Sequence, residues 1–563
     1  EMKDSLINNG LHILGECPEG EDLVHFVSAL TRISSKGLPS LREALAAGLG
    51  CGLDGLLETR GSESVAEQLR GREISEKLNQ VTLDFIRHII NGGDADSFLE
   101  ENQIGNRKQL SDIAANIRGS LLSRLLKTKM EITNLIGALN GRFVSPGPSG
   151  APTRGQTEIL PTGRNFYTLN PYAIPSQAAW KTGVALAEVL LKRYMDESGK
   201  YPENIGYVLF GSPTIRTRGE DVAQIMYLMG VRPVWQSGSQ NVKQIEVIPI
   251  DELKRPRIDV TIRITGFFRD AFHNIVEMLD EAVSLISKLD EPEEMNPVKK
   301  HIEADTETLM AEEGADYAES RKRSAYRIFS AKPGAYGTGV NTLINNKNWN
   351  NAKDLGDMYV SYGAYAYGND TFGNQEVKAF RKRLSVIDLA VKNIDTKETD
   401  VLANDDNYSY LGGMVAAAGG LSGRNVKGYI GDSSDPARVK VKDIREETRF
   451  VVRTKLLNPK WYTALKRHGF KGATDISSTI DYVFGWDATT HVVDDFTYEK
   501  ITESFLRNEE FLNWMKSVNP WALQNIAERL LEAIKRGMWD ADEETKDFIL
   551  NIYLESEGIL EDR

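Results

Sequence analysis

Apolar positions in the first 140 residues recur at threes and fours, over 41–49, 74–90 and 110–139, with glycine-containing breaks between them. That spacing puts apolar side chains on one face of a helix, and predicts a helical packing region with charged outer faces and no cluster of ligand-type residues. The pattern stops near 143. Residues 143–175 hold Pro146, Pro148, Pro152, Pro161, Pro171 and Pro175 among Gly147, Gly150, Gly155 and Gly163, without a helical period. A loop of this length is either functional or a connector.

A helical face returns over 176–194, and short apolar runs then alternate with helical ones. Residues 205–210, 231–235 and 258–265 read as strands and 220–229 as a helix, an order that predicts a parallel sheet with a crossover. Residues 290–316 read as exposed helix and linker, 443–457 as a helix carrying Arg445, Arg449, Arg453 and Lys455, and 484–490 as an unusual turn in an otherwise helical end. The fold class expected is α/β, mixed and multi-domain, with a parallel sheet layer and extensive helical regions. Its domains are a helical region at 1–142, an α/β domain with a long Pro/Gly-rich loop at 143–290, a central domain with a glycine-rich ligand loop at 291–440 and a mainly helical region at 441–563.

With 563 residues, 26% charged and 41% hydrophobic, the chain can bury a large core and is not of disordered composition. Its net charge of −13 argues against a nucleic-acid surface as its main business. Two cysteines, Cys17 and Cys51, fit a reducing compartment and exclude a disulfide framework. No apolar run approaches the roughly 20 residues of a membrane span, so the expected location is the cytoplasm. The chain starts at Glu1 and opens on the apolar stretch 6–15, which reads as the middle of something longer or a trimmed product.

The candidate chemistry gathers around Ser330 to Gly339, a loop with three glycines that frees the backbone to approach a ligand and carries one cation, Lys332, and one phenol, Tyr336. In a parallel sheet, ligands sit beyond the carboxyl ends of the strands. Two further motifs fall there: Gly211 to Asp221, with Arg216, Arg218, Glu220 and Asp221, and Gly266 to Asp270, with Arg269. Arg263 lies within an apolar strand, where a charge needs a partner. Arg154 and Arg164 lie in the Pro/Gly-rich loop; Tyr359, Tyr362, Tyr365 and Tyr367 form either an aromatic wall or a packing run; and Asp405 and Asp406 are adjacent carboxylates able to hold a hard cation, accept protons or simply form a solvated turn. No G-x-x-x-x-G-K-[ST] phosphate loop, G-x-S-x-G elbow or H-E-x-x-H pair occurs, so the chain is not expected to hydrolyse ATP itself.

Taken in order, the stretches at 147–180 (with GPSGAPTRG, LPTGRNFY and IPSQAAW), 211–233 (with RTRGED and GVRP), 257–283 (with RIDVTIRITGFFRDAF), 326–368 (YRIFSAKPGAYGTGV through YGAYAYG), 412–435 (with GGMVAAAGGLSG and YIGDSSD) and 453–496 (with TKLLNPKWY and FGWDATT) resemble the large subunit of the ATP-dependent tetrapyrrole chelatases. This is the family of cobaltochelatase CobN and the H subunit of magnesium chelatase, and the resemblance is to its C-terminal portion. The wording is closer to the cobalt type. The resemblance implies insertion of Co²⁺, with Mg²⁺ as the other possibility, into a corrinoid such as hydrogenobyrinic acid a,c-diamide, or into a porphyrin. It also implies AAA+ motor subunits as partners that use the ATP, with no nucleic acid and no membrane span. Residue type and resemblance together give Glu220 and Asp270 as proton acceptors. They give Arg154, Arg164, Arg216, Arg263, Arg269, Lys332, Tyr336 and Tyr362 as ring-binding residues, and Asp405 and Asp406 as metal-facing ones. Two departures stand out. The family's upstream H-x-G-x-H-G-x-x-E segment precedes the start of this chain and would come from the same or another polypeptide. Leu411 stands where the cobalt type usually carries His before the Gly-Gly pair. A magnesium-type subunit, a metal-removing relative and a non-catalytic tetrapyrrole-binding scaffold are the alternatives.

Overall fold

The structure is a computed structural model describing residues 12–561 apart from 36, 52–64, 168 and 437, so part of the opening stretch 6–15 lies outside the described residues. The chain divides into two compact units, Glu1–Leu169 and Asn170–Arg563.

The first unit is helical around a core in which Leu78, Phe85, Ile86 and Ile89 of helix Val65–Ile90 meet Val27 and Leu30 of helix Gly20–Leu30 and Leu41 and Leu45 of helix Leu41–Gly48. The sequence starts helix Leu41–Gly48 where Ser40 accepts a hydrogen bond from the Glu43 N–H, satisfying a donor the helix cannot. Cys17 and Cys51 are free thiols. The Pro/Gly-rich stretch contributes a short parallel pair, Pro146–Pro148 with Asn165–Tyr167.

The second unit is built on one eight-stranded sheet. Its strands are β1 (Asn204–Leu209), β2 (Asp259–Ile264), β3 (Ile328–Ser330), β4 (Tyr365–Gly368), β5 (Thr371–Gln375), β6 (Leu389–Ile394), β7 (Lys427–Asp432) and β8 (Lys440–Asp443). They lie in the order β8-β7-β6-β1-β2-β3-β4-β5. Strands β7, β6, β1, β2 and β3 run parallel, and β4, β5 and β8 add antiparallel edges. β1, β2 and β6 are buried along their whole length, as strands covered on both faces must be. Strand order turns back between β1 and β6, which makes that crevice the topological switch point.

Run 231–235 is not in this sheet. It pairs antiparallel with Val242–Val247 as a separate hairpin, and its alternating burial distinguishes it from the wholly buried parallel strands. The expected boundary at 290 runs through the middle of one sheet, because β1 and β2 come from one side of it and β3 to β8 from the other; the division by compactness lies at 169 instead. Helix Pro297–Glu313 buries Val298, Ile302 and Thr306 rather than serving as a linker. Residues 484–490 belong to helix Gly469–Thr490, not to a turn: Gly485 lets the Tyr408 ring press against the backbone, and Trp486 donates to the Val401 carbonyl at 2.9 Å. This helix and Pro520–Lys535 form one core with the sheet face that carries Val208, Phe329 and Ala390. Among the described residues no helix is long and apolar enough to cross a membrane.

Candidate functional site

The parallel strands end at Leu209, Ile264, Ser330, Ile394 and Asp432, and beyond these ends stand most of the candidate residues. After β2, Thr265 caps helix Gly266–Ala271 by accepting from the Phe268 N–H. That helix carries Arg269 and Asp270. Arg269 is buried and grips Asp270 through Nε at 2.7 Å and Nη2 at 3.0 Å. Its Nη1 donates to the carbonyls of Lys332, Ala335 and Ala331 at 2.9, 3.1 and 3.2 Å. One guanidinium thus fixes the backbone of the glycine-rich loop. The Tyr336 hydroxyl closes the link by donating to Asp270 at 2.7 Å, and the Tyr362 hydroxyl donates to the Tyr336 carbonyl at 3.0 Å. Gly266 makes room for the Tyr336 ring, which a Cβ there would approach to 2.5 Å.

Below the loop lies Arg263 of β2. It is fully buried, donates to the Ile264 and Gly337 carbonyls at 2.8 and 3.2 Å, and lies over the rings of Tyr410 and Tyr359 at 5.3 and 5.7 Å. Its partners are carbonyls and aromatic faces rather than a carboxylate. Tyr410 also donates to the Gly337 carbonyl, and Tyr367 to that of Ala331. The loop is therefore held from beneath by two arginines and two tyrosines, while Lys332 and Tyr336 face outward; Tyr336 is 60% exposed.

At the switch point, Arg216 pairs bidentately with Asp395, at 2.8 and 2.7 Å. Lys392, in β6, is buried with its ammonium 4.5 Å from the Phe210 ring centre; burial pulls its pKa down to about 8 against the opposing carboxylates of Asp221, Asp395 and Asp406. Asp221 is buried, accepts from Asn393 at 2.6 Å and from Tyr207 at 3.2 Å, and burial pushes it up to about 6. Asp405 accepts from Asn341, on the helix that follows the glycine-rich loop, at 2.6 Å, which ties the switch point to that loop. Burial and the neighbouring Asp405 raise the Asp406 carboxyl, whereas the bond from Arg269, followed by that from Tyr336, lowers Asp270.

The expected residues therefore fall into three groups. Lys332, Tyr336, Tyr362, Asp270, Asp405 and Asp406 are partly or well exposed at the carboxyl edge. Arg216, Arg263, Arg269 and Glu220 are at the same edge but engaged: Glu220 is buried and accepts from Ser433 at 2.5 Å. In this arrangement the three arginines hold protein, not ring carboxylates. Arg154 and Arg164 lie in the first unit, where Arg164 clamps its own loop through the carbonyls of Ile159, Pro161 and Glu158. Among the described residues no three or more His, Cys, Asp or Glu side chains are grouped to hold a metal ion, so Asp405 and Asp406 stand as a carboxylate pair. Leu411 is fully buried, and its position points into the core. Lys392, Asn393 and Asp395 went unmarked by sequence reasoning, although the polar Lys-Asn pair inside the apolar run Leu389–Ile394 is the same signal that marked Arg263.

The CobN/Magnesium Chelatase family pattern matches residues 1–546. This chain belongs to that family. The aerobic cobaltochelatase subunit CobN of Pseudomonas aeruginosa is 37% identical over 573 residues, covering 99% of this chain and 45% of the relative. The chloroplastic magnesium-chelatase subunit ChlH of Oryza sativa subsp. japonica is 32% identical over 606 residues, covering 100% of this chain and 42% of the relative. The catalytic subunit of cobaltochelatase from Mycobacterium tuberculosis superposes with a TM-score of 0.90 at 39% identity, over 98% of this chain and 45% of that one. The chain thus spans less than half the length of these family members, and it shares their α/β fold.

Proposed function

We propose that this chain forms the tetrapyrrole-holding body of an ATP-dependent cobaltochelatase, which inserts Co²⁺ into a metal-free corrinoid. The observation that carries this reading is the outward presentation of Tyr336 and Lys332 on a loop fixed from beneath by Arg269 and Arg263. A flat macrocycle packs on an exposed phenol ring, and an ammonium meets a peripheral carboxylate. Such a platform is pre-ordered, so ring binding does not first have to order the loop.

Insertion exchanges two pyrrolic protons for one metal dication, and the ion must shed water as it enters. Asp406, whose carboxyl is raised by burial and by Asp405, is the better proton acceptor; Asp270, lowered by Arg269 and held in a bidentate pair with it, is the weaker base and positions Tyr336. Glu220, buried against Ser433, is a positioning residue at the switch point. Energy for the cycle comes from ATP hydrolysed by AAA+ partner subunits, since the sequence has no phosphate loop, and the setting is cytoplasmic. The second reading is a magnesium-type subunit acting on a porphyrin. Its support is the 32% identical rice relative, against 37% and 39% for the cobalt-type proteins.

The test is an insertion assay containing this chain, AAA+ subunits, ATP, Co²⁺ and hydrogenobyrinic acid a,c-diamide, with the full-length P. aeruginosa relative as the positive control. Loss of the metal-free spectrum that requires every component supports the reading. Ring binding without insertion would reduce the chain to a binding scaffold, and insertion only with Mg²⁺ and a porphyrin would favour the second reading.

A further inference from the structure

Helix Met130–Leu139 turns its apolar side outward. Ile132, Leu135, Ile136 and Leu139 share one face by their spacing and are 44%, 50%, 54% and 80% exposed, whereas the residues this helix buries are Glu131 and Gly137. The orientation is pinned. Glu131 accepts from His12 and from the Gly15 N–H, each at 2.8 Å, and Asn134 donates to the Gly163 carbonyl at 2.7 Å. Gly163 approaches so closely that a Cβ there would lie 2.6 Å from the Glu131 nitrogen. The polar side is thus locked inward by two segments, and the helix cannot roll to bury its leucines without breaking these bonds.

Exposed apolar residues continue beyond the helix. Phe143 is 86% exposed, and Ile13 and Leu14, in the stretch tied to Glu131, are 43% and 51% exposed. Lys127, Lys129 and Arg142 stand exposed around the stripe. A contiguous apolar stripe rimmed by charge marks an interface.

We propose that this face seats an apolar, carboxylate-rimmed segment of the family polypeptide that lies outside the part matched by this chain. The relatives leave more than half of their own length beyond the match, 55% to 58% by the shares of 45%, 42% and 45%. An intramolecular partner of that size is available in every family member compared. A second copy fits less well, because it would bring the Lys127, Lys129 and Arg142 cations of both copies together. This inference rests on family membership and not on the metal chemistry proposed above.

The experiment compares occlusion in the two contexts. Leu135→Cys and Leu139→Cys are made in this chain with Cys17→Ser and Cys51→Ser, and cysteine is placed at the aligned positions of the full-length P. aeruginosa relative; maleimide labelling rates are measured for each. Both positions are half or more exposed, and far-UV circular dichroism checks that the variants fold. Labelling at least tenfold slower in the full-length protein than in this chain is the expected result. Equal, rapid labelling in both overturns the proposal. Slow labelling in this chain alone, with a dimer in sedimentation, overturns it in favour of a second copy. Flotation of this chain with phosphatidylcholine–phosphatidylserine vesicles, abolished by Leu135→Glu, overturns it in favour of a membrane.

Discussion

The Tyr336 hydroxyl donates to Asp270 at 2.7 Å, so the glycine-rich loop after β3 and the helix after β2 present one continuous surface. Tyr336→Phe keeps the ring face and removes only this link. Ring binding is expected to weaken by roughly two- to tenfold, the equivalent of one hydrogen bond, and the Asp270 carboxyl to titrate nearer its ordinary range, as followed by the pH dependence of binding.

Arg269 matters more than its exposure implies. Arg269→Ala leaves the Ala331, Lys332 and Ala335 carbonyls without their shared donor and is expected to cost about 3–5 kcal/mol in urea unfolding. Arg269→Lys restores charge without the planar fork and should recover only part of the loss. Proteolytic nicking within 332–339 should rise in both variants.

Stability should respond to pH through Asp221. Its carboxyl titrates near pH 6 in the fold against about 3.9 unfolded. Between these values the native state holds the extra proton, so this group's contribution to stability falls as pH rises from about 4 to 6 and is level above. Asp221→Asn removes that slope: relative to wild type, the variant should gain on the order of 2–3 kcal/mol between pH 4 and pH 7, read by denaturant titration at each pH.

At the opposite end of β2, Asp259 is buried among Arg327, Arg383 and His301, at 2.6, 2.8 and 2.8 Å, and despite burial the two guanidiniums, with the bond to the His301 ring, hold its carboxyl far below the usual range. Its stabilisation is present above the unfolded carboxyl pKa and is lost only as the solution becomes strongly acidic. Asp259→Asn should therefore destabilise most at neutral pH, by about 3–5 kcal/mol, without changing ring binding in the molecules that remain folded. A parallel loss of affinity would mean that this cluster communicates with the carboxyl edge.

The helices with regular threes and fours, the strands around Val208 and Ile262, and the glycine-rich loop after β3 were legible in the sequence because each has a local signal: periodicity, an unbroken apolar run, or glycines beside a cation. What was not legible depends on distant partners. Arg216 looks like a ligand residue until β6 brings Asp395 to it from 179 positions away. Arg269 looks free until the loop 62 to 66 residues later wraps its guanidinium. Residues 484–490 looked like a turn because Gly485, Asp487, Thr489 and Thr490 are poor helix formers, yet close packing against Tyr408 selects the helix. Sequence chemistry thus marked residues that the fold gathers at the carboxyl edge of the sheet, but not which of their charges the fold itself uses.

The most direct measurement is an absorbance titration of this chain with hydrogenobyrinic acid a,c-diamide and with a metal-free porphyrin, for wild type and Lys332→Ala. Saturable binding of the corrinoid, at least tenfold weaker in Lys332→Ala and accompanied by weaker binding of the porphyrin, is the result expected if the loop after β3 holds the ring. Binding of neither ring, or corrinoid binding indifferent to Lys332, would contradict that assignment.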